Sequence, residues 1–441
     1  MKDKYVSRIT PNEDQAKALI AMKKFLASKT EKEFCLSGPG GTGKTTIVKE
    51  LFLKAAKNDK DKFYVKNSVV GVCVSHKAKL VLQEHIFNSM TYASSVNLMI
   101  AFDPWGEMIF IPKSSEYRQA KLAQYHTIIF DEASMISDEM LTILHQSCKP
   151  NAKFIFLGDE CQLPPIKPGN GRNYNPDADS AVFSMPNHYA LTQKVRQDDG
   201  DPIAILCDTC REHINGDHSL DWMRGIKSHY IKEQNKGIQW TNEDGVLKSF
   251  ISNYNDGKDV RMLAYRNKRV DDLNFKIRRL LFPEIHEQRF VPGDLLVGNN
   301  QYAPKDLDEP IFYNGEDMII EGVETADVVN VECHMLWIKG KTIPIYVPTF
   351  EGIKEYNDQV AYLKQKALKT KYWADYMDYV KRFADVSYGY AVTLYKIQGS
   401  TLYGVYVDVH DIYGVKPLTP RRKLQSLYTG FSRPTNFLGL F

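Results

Sequence analysis

The sequence lacks the features that mark membrane, secreted and histone-like proteins. No apolar run among its 441 residues is long enough to span a bilayer, and the opening stretch MKDKYVSRIT has no apolar signal region. The net charge is only +3, so any contact with nucleic acid must come from a local groove rather than a basic coat. Seven scattered cysteines are typical of reduced thiols, and we expect a cytoplasmic protein of roughly two to four domains.

Four potential metal ligands lie close together, but their spacing favours a helix. Cys207, Cys210, His213 and His218 form the pattern C-x-x-C-x-x-H-x-x-x-x-H. The ligand pairs of structural zinc sites normally lie on separate turns or elements. Pro202 can begin a helix, and both cysteines would then lie on its apolar face. We therefore predict a helix here rather than a zinc site.

A glycine-rich segment at residues 38–45 has the pattern of a phosphate-binding loop, G-x-x-x-x-G-K-[ST]. A short apolar run precedes it and an amphipathic segment follows it, which is the strand–loop–helix order that such loops require. The glycines let backbone N–H groups turn towards a polyphosphate, the lysine contacts the outer phosphates, and the Thr45 hydroxyl is a ligand for Mg²⁺. The residues predicted to bind the nucleotide here are Gly38, Gly40, Gly41, Thr42, Gly43, Lys44, Thr45 and Thr46.

An acidic pair follows another short apolar run. Residues 127–130 have the composition of a buried strand and lead into Asp131 and Glu132, and the carboxyl ends of parallel strands face the ligand crevice. We predict that Asp131 holds Mg²⁺, directly or through water, and that Glu132 orients and deprotonates the attacking water. Gln162 follows the next strand and is suited to contact the γ-phosphate and this water, although the pattern alone also fits a polar residue of a turn.

Hydrolysis also needs positive charge near the transition state, which an arginine can supply. Arg196 and Arg433 are the candidates, although each taken alone is also compatible with a surface arginine. Near the start of the chain, residues 10–15 predict a capped helix, and Gln15 is a candidate reader of the adenine edge. The predicted catalytic residues are Lys44, Glu132, Gln162, Arg196 and Arg433.

Strand-like and helix-like segments alternate over residues 1–190, which is typical of a parallel sheet covered by helices. Within this part, residues 96–112 predict a projecting β-hairpin. A second α/β region is interrupted by an all-β insertion at residues 290–348, of a size that suits a small barrel, and by helices within residues 352–383. The strand candidates are residues 68–75, 127–130, 153–157, 260–264 and 404–409, and a helix is predicted at 268–281.

In this order, the segments resemble the motifs of superfamily 1 helicases. The phosphate loop resembles motif I, Asp131-Glu132-Ala133-Ser134 motif II, Gly158-Asp159 with Gln162 motif III, and Arg196 the arginine of motif IV. Residues 392–400 resemble motif V, residues 428–433 resemble motif VI, and Gln15 matches the adenine-reading Gln motif. The resemblance covers nearly the whole chain and implies that ATP is the nucleotide.

Within the superfamily, the chain is most similar to the 5′→3′ branch of RecD-type and phage Dda helicases. The resemblance implies an α/β fold of two RecA-like parallel-sheet domains, with a β-hairpin pin inserted in the first. A small SH3-like β-barrel and a helical tower would be inserted in the second. The implied boundaries are residues 1–190 for the first domain with the pin at about 92–120, residues 191–290 and 385–441 for the second, and residues 291–384 for the barrel and tower.

The resemblance also implies which residues contact DNA. Residues 75–79 resemble motif Ia, which holds the strand backbone, and the hairpin aromatics are candidates to stack on bases. Phe110 is equally compatible with packing the hairpin onto its neighbour. Tyr395 departs from the family, which usually has histidine at that position of motif V. The residues predicted to bind DNA are Ser75, His76, Lys77, Lys79, Thr91, Trp105, Phe110, Thr393, Tyr395, Lys396 and Gln398.

The main prediction is a DNA helicase that uses ATP and Mg²⁺, moves 5′→3′ on single-stranded DNA and acts on forked duplexes. We expect a monomer, with a single-strand binding protein or replication and recombination proteins as candidate partners. One alternative is an RNA helicase of the same superfamily, and another is a single-strand binding protein with an incidental ATPase. A translocase that strips proteins from DNA is a third. The direction of movement rests on the resemblance alone.

Overall fold

The structure is a computed structural model that describes residues 10–55, 65, 67–86, 88–103, 108–112, 120–165, 179–195, 200–231, 236–285, 288–304, 307 and 309–441. The chain forms two compact units. The first comprises Met1–Met99, Pro112–Asn242 and Ile397–Phe441, and the second comprises Ile100–Ile111 and Glu243–Lys396. Each helix in the described part of the chain is too short or too polar to cross a membrane.

A six-stranded sheet forms the centre of the first unit. Its strands, in spatial order, are Ser89–Thr91, Val69–Cys73, Thr127–Phe130, Lys153–Gly158, Glu33–Ser37 and His188–Ala190, and they pair in parallel. In the fourth strand, Phe154 and Phe156 belong to one apolar cluster while Ile155 and Leu157 belong to the other, because successive side chains point to opposite faces. The sheet is therefore buried on both faces, which confirms the predicted parallel α/β architecture.

Helices cover this sheet. The α-helices Glu13–Ala27 and Lys44–Ala55 contribute to one apolar cluster, and Asp138–Gln146 contributes to the other. The Lys153 ammonium donates hydrogen bonds to the carbonyls of Phe25 (2.8 Å), Ser28 (2.6 Å) and Glu31 (2.9 Å). It thereby connects the last turn of the first helix and the segment that follows it to the strand Lys153–Gly158. The shorter helices of this part are His76–Gln83, Tyr92–Ser95, and the 3₁₀ turns Lys121–Gln124, Ala133–Met135 and Ala181–Ser184.

A second group of strands in the first unit comprises Leu402–Val407, Pro434–Leu440, Lys236–Trp240 and His229–Ile231. The first three pair in parallel and the last pairs antiparallel. The strand predicted at 404–409 thus begins and ends two residues earlier. Its end is fixed by Asp408, whose side chain accepts a hydrogen bond from the Asp411 N–H (2.8 Å) and caps the short helix Val409–Tyr413.

The helices Pro202–Asn215 and Pro420–Phe431 pack against each other, and we name them the Pro202 helix and the motif VI helix. The first confirms the helix predicted from Pro202. Cys207 and Cys210 are buried on it, and burial raises the pKa of the Cys207 thiol to about 12. In the described part of the chain, no group of three or more potential ligands is placed to hold a metal ion.

The second unit contains the other predicted strand and helix. Val260–Ala264 pairs in parallel with Ala391–Thr393, and the helices Glu243–Asn255 and Asn267–Leu281 pack near them. The side-chain amide of Asn274 donates to the Ala391 carbonyl (3.0 Å) and accepts from the Ala391 N–H (2.8 Å). This α/β region is confirmed, whereas the domain boundaries given above stay predictions.

The predicted all-β insertion is an antiparallel sheet of five strands. Their order is Ile345–Pro348, Val331–Ile338, Asp317–Val328, Leu295–Gly298 and Val386–Tyr388. The two longest strands are joined at Val329 and Asn330, which have φ values of 49° and 64° and contain no glycine to signal the turn. The strand Val386–Tyr388 lies beyond residue 348, where the all-β insertion was predicted to end, so the sheet also uses residues outside the predicted range. An SH3-like closure of this sheet stays a prediction.

The predicted hairpin and helical segment are both confirmed. Leu98–Phe102 and Met108–Pro112 form a two-stranded sheet, and the helices are Ile353–Thr370 and Ala374–Val380. The Phe102 ring stacks on Trp373 with ring centroids 3.8 Å apart, and the edge of Tyr376 completes the group at 5.5 Å from Phe102. Trp105, in the predicted turn, lies outside the described residues.

A buried ion pair provides a test of this fold. Arg278 and Asp294 form two hydrogen bonds of 2.8 Å, with side chains only 4% and 0% exposed. Removing one partner leaves the other charge buried, so we expect Asp294→Asn to lower the free energy of unfolding by ~3–5 kcal/mol in chemical denaturation. In the control Asp221→Asn, the partner Arg224 is 87% exposed, and we expect a change below ~1 kcal/mol. Equal losses in both variants would contradict the assignment.

Candidate nucleotide-hydrolysis site

The phosphate loop joins the strand Glu33–Ser37 to the helix Lys44–Ala55, as predicted. Gly38, Gly41 and Gly43 have φ values of 148°, 81° and 79°, a region that side-chain-bearing residues rarely adopt. A Cβ atom on Gly38 would lie 2.6 Å from the Leu191 carbonyl oxygen, and one on Gly43 would lie 2.8 Å from the Gln15 amide nitrogen. Glycine is therefore required at Gly38 by space as well as by conformation, whereas at Gly43 the positive φ is the main requirement.

Lys44 is held inside this loop. Its ammonium donates to the carbonyls of Gly38 (2.7 Å) and Pro39 (3.0 Å). Burial lowers the pKa of Lys44, while the nearby carboxylates of Asp159, Glu132 and Asp131 oppose this shift. The lysine is thus a cation fixed at the N-terminus of the helix Lys44–Ala55, and this arrangement is suited to bind phosphate.

Thr45 and Asp131 form a pair of oxygen ligands beside Lys44. The Thr45 hydroxyl donates to Asp131 Oδ2 (3.3 Å), and Asp131 Oδ1 accepts from the Glu132 N–H (2.9 Å). Burial and the neighbouring Glu132 carboxylate raise the pKa of Asp131 to about 6. A hydroxyl next to a carboxylate matches the oxygen ligands that Mg²⁺ prefers, so these residues fit the predicted metal site.

Glu132 has a left-handed backbone conformation, with φ 56° and ψ 46°. Such a conformation costs free energy for a residue other than glycine and often occurs at functional sites. It occurs just after the strand Thr127–Phe130, where the chain enters the 3₁₀ turn Ala133–Met135. The different roles predicted for the two carboxylates stay predictions.

Gln15 contacts the phosphate loop directly. The predicted helix starts at Glu13, and Asn12 and Gln15 form a capping box at its N-terminus. The Gln15 side-chain oxygen accepts from the Asn12 N–H (3.2 Å), and its Nε2 donates to the Thr42 carbonyl (2.9 Å). Both ends of this buried amide therefore bind the protein's own backbone, and its reading of adenine stays a prediction.

Asp159 and Gln162 lie in the turn after the strand Lys153–Gly158, which we name the motif III loop (residues 159–163). The Gln162 N–H donates to the Asp159 carbonyl (3.1 Å). The Gln162 side chain is 6% exposed, and among the described residues its Oε1 has no hydrogen-bond partner. A buried amide without a partner is costly and is compatible with a ligand contact.

Arg433 follows the motif VI helix and is also buried. Its guanidinium donates to the carbonyls of Thr429 (3.1 Å) and Ser400 (3.5 Å) and to the Ser432 hydroxyl (3.2 Å). Arg196, the other predicted catalytic arginine, lies outside the described residues. Both catalytic assignments stay predictions.

Two residues that bind the motif III loop were not predicted from the sequence. Arg211 of the Pro202 helix and Tyr428 of the motif VI helix both bond to the carboxylate of Asp159. Tyr428 lay inside a recognised motif without an assigned role, and Arg211 lies in a helix that sequence reasoning explained by its apolar face alone. No local pattern distinguishes Arg211 from a surface arginine.

Comparisons with known proteins agree with this geometry. A family model described as an AAA domain matches residues 10–225. The chain is 22% identical to the "ATP-dependent DNA helicase dda" of Enterobacteria phage T4, over 83% of this chain and 85% of that protein. These findings support a Dda-like superfamily 1 helicase.

Two further similarities extend over almost the whole chain. It is 23% identical to the uncharacterized protein R530 of Acanthamoeba polyphaga mimivirus, over 94% of this chain and 96% of that protein. The structure of the Pif1 helicase from Bacteroides, solved with ADP-AlF3 and single-stranded DNA, covers 98% of this chain and 92% of its own, with a TM-score of 0.55 at 16% identity. This second similarity concerns the fold.

The residues of the first unit that are predicted to contact DNA lie mainly at the starts of helices. Ser75 and Thr91 are N-cap residues whose side chains accept hydrogen bonds from the N–H groups of Ala78 (3.1 Å) and Ser94 (3.4 Å). Residues His76, Lys77 and Lys79 are half-buried in the helix that Ser75 caps. Their contact with DNA stays a prediction.

Gln398 is a buried residue among the predicted DNA contacts. Its side chain is buried, and its Nε2 donates to the Leu163 carbonyl of the motif III loop (3.1 Å). This bond connects Gln398 to the motif III loop, and its contact with DNA stays a prediction.

The remaining predicted contacts of the second unit lie near the strand Ala391–Thr393. Thr393 Oγ1 accepts from the Lys396 N–H (3.4 Å), the Lys396 ammonium donates to Asn299 Oδ1 (2.7 Å), and the ring of Tyr395 lies edge-on to Tyr265. Burial lowers the pKa of Lys396. In the hairpin, the side chain of Phe110 is 56% exposed.

The raised pKa of Asp131 has a measurable consequence. Because the folded protein without nucleotide disfavours the charged carboxylate, we expect Asp131→Asn to raise the melting temperature at pH 8. A gain of ~1 kcal/mol would correspond to about 2–4 °C in a domain of 150–250 residues. The gain should shrink at pH 5, where Asp131 is already largely protonated in the folded state. A lower melting temperature of the variant at pH 8 would contradict this account.

Proposed function

We propose that the protein is an ATP-dependent DNA helicase that moves 5′→3′ along single-stranded DNA and separates duplex DNA at a fork. The observation that carries the proposal is the assembly of Lys44, Asp131 and Glu132 at one edge of a parallel sheet. The whole-length similarity to a helicase supports it, because the same hydrolysis chemistry alone would fit many ATPases.

The chain's own residues account for the steps of hydrolysis. The N–H groups of the phosphate loop and the Lys44 ammonium bind the phosphates of ATP. Glu132 orients the attacking water and accepts its proton. Thr45 and Asp131 would hold Mg²⁺, which would supply positive charge against the charge that develops on the phosphates. Gln162 contacts the γ-phosphate and this water, and Arg433 and Arg196 stabilise the transition state.

Strand separation depends on the hairpin, which opens the duplex, and on the residues that hold single-stranded DNA. The single strand is held through its phosphates by residues of the motif Ia segment, which gives binding without base specificity. The exposed Phe110 stacks on a base at the fork. Stacking is worth ~1–3 kcal/mol, and one duplex step costs ~1.4 kcal/mol on average. One ring can therefore offset the opening of one base pair.

The decisive experiment compares two DNA duplexes that differ only in carrying a 5′ or a 3′ single-stranded tail, with ATP and Mg²⁺ present. Unwinding of only the 5′-tailed duplex is expected. Unwinding of only the 3′-tailed duplex would contradict the proposed direction. ATPase activity that single strands stimulate, without unwinding of either duplex, would instead support a translocase that displaces proteins.

Two substitutions separate ATP binding from hydrolysis. We expect Lys44→Ala to lower kcat by about 10²–10³-fold, because it removes a charge that stabilises the transition state. Glu132→Gln should bind a fluorescent ATP analogue normally, while kcat falls by about 10²–10⁴-fold through loss of the general base. Full turnover in either variant would exclude that residue from the assigned role.

The hairpin aromatic is tested with a neighbour as control. We expect Phe110→Ala to keep DNA-stimulated ATPase activity within about twofold and to lose at least about tenfold in unwinding rate, because ~1–3 kcal/mol of stacking is lost. Ile109→Ala is a matched control, since Ile109 is the adjacent residue and is also exposed, at 38%. Equal unwinding by both variants would remove Phe110 from the mechanism.

A further inference from the structure

The motif III loop is attached to the motif VI helix near both of its ends. The Glu160 carbonyl accepts a hydrogen bond from the Gln425 side chain (3.2 Å), and the Leu163 N–H donates to Thr429 Oγ1 (3.1 Å). Gln162 lies between these two attachments. The position of its side chain therefore depends on where the helix holds the loop.

A buried group of three polar side chains fixes the start of the same loop. The Asp159 carboxylate accepts hydrogen bonds from Arg211 and from the Tyr428 hydroxyl (2.6 Å), and Arg211 also donates to that hydroxyl (3.1 Å). The Arg211 guanidinium lies 5.3 Å from the centre of the Tyr428 ring. Asp159 also accepts from the Cys161 N–H (3.1 Å). We name Arg211, Asp159 and Tyr428 the buried triad.

The triad is almost completely shielded from solvent. Asp159 and Tyr428 are each 1% exposed, and the Arg211 side chain is 15% exposed. Burial and the Asp159 carboxylate raise the pKa of Tyr428 well above its usual value, so its hydroxyl remains a hydrogen-bond donor. Buried charges contribute little net stability, and their best-attested use is to fix one arrangement of packed elements.

We propose that Arg211 and Tyr428 are positioning residues that act through Asp159, holding the motif III loop on the motif VI helix so that Gln162 and Arg433 reach the nucleotide together. This inference rests on the proposed function, because the benefit is to turnover. Without this attachment, the position of Gln162 would depend on the motif III loop alone and that of Arg433 on the motif VI helix alone. Small errors in the position of catalytic groups reduce rates strongly.

The test is a double-substitution cycle between Tyr428→Phe and Gln162→Ala. Tyr428→Phe keeps the ring and removes only the hydroxyl, so the protein should remain folded. We expect kcat of the DNA-stimulated ATPase to fall about tenfold, with KM for ATP unchanged within about twofold. In the Gln162→Ala background, the same change should lower kcat by less than about twofold, because the side chain whose position relative to Arg433 the triad fixes is already absent.

A second readout does not depend on activity. The Cys161, Gln162 and Leu163 N–H groups are all hydrogen-bonded in the structure, and we expect Tyr428→Phe to speed their hydrogen exchange in the protein without nucleotide. Tyr302→Phe is the control, since the Tyr302 hydroxyl donates a hydrogen bond to the backbone carbonyl of Arg382 (2.9 Å) in the other unit. That control should leave both kcat and exchange in the motif III loop unchanged.

The outcomes separate the two proposals. If Tyr428→Phe lowered kcat by the same factor in the wild-type and Gln162→Ala proteins, or left kcat of the wild-type protein unchanged, the positioning role would be overturned. Wild-type protein that hydrolyses no ATP on single-stranded DNA would overturn the proposed function, and unchanged exchange in Tyr428→Phe would then overturn the attachment of the loop as well. Arg211→Lys keeps the charge but loses the planar fork, and should give an intermediate kcat.

Discussion

Parallel strand pairing is the constraint on which the site depends. Ser37 lies opposite Gly158, and Phe130 lies opposite Phe156, so three neighbouring strands end at nearly the same level. The chain segments that leave these strands are the phosphate loop, the acidic pair and the motif III loop. Register alone therefore brings together residues that are more than 100 positions apart in the sequence. The apolar clusters on both faces of the sheet stabilise this register.

Such convergence concentrates charge where water is scarce. The pKa of Lys44 is lowered by burial although three carboxylates oppose the shift, and that of Asp131 is raised for the same reason and by its acidic neighbour. Each shift means that the folded protein disfavours the charged form of the side chain relative to water. The left-handed conformation of Glu132 adds backbone strain at the same edge. The fold thus gives up stability at the place where it can use charge for chemistry.

Much of this arrangement could be predicted from local patterns. Short apolar runs identified the strands, and the glycine-rich loop identified the site, because strand periodicity and positive φ have direct sequence signatures. The turn at Val329 and Asn330 could not be predicted, since neither residue is glycine. Long-range partners were missed for a different reason. Arg211 lies 52 positions from the carboxylate that it bonds, and the bond of Gln398 to the Leu163 carbonyl joins residues 235 positions apart.

The cysteines of the Pro202 helix and the motif III loop have a practical consequence. Burial raises the pKa of both Cys161 and Cys207 to about 12, so at pH 7 about one such thiol in 10⁵ is ionised. Thiol reagents attack the ionised form and need access to it. Alkylation of these side chains can therefore proceed only while the loop and the helices are apart. The alkylation rate of these native cysteines therefore reports how often this region opens.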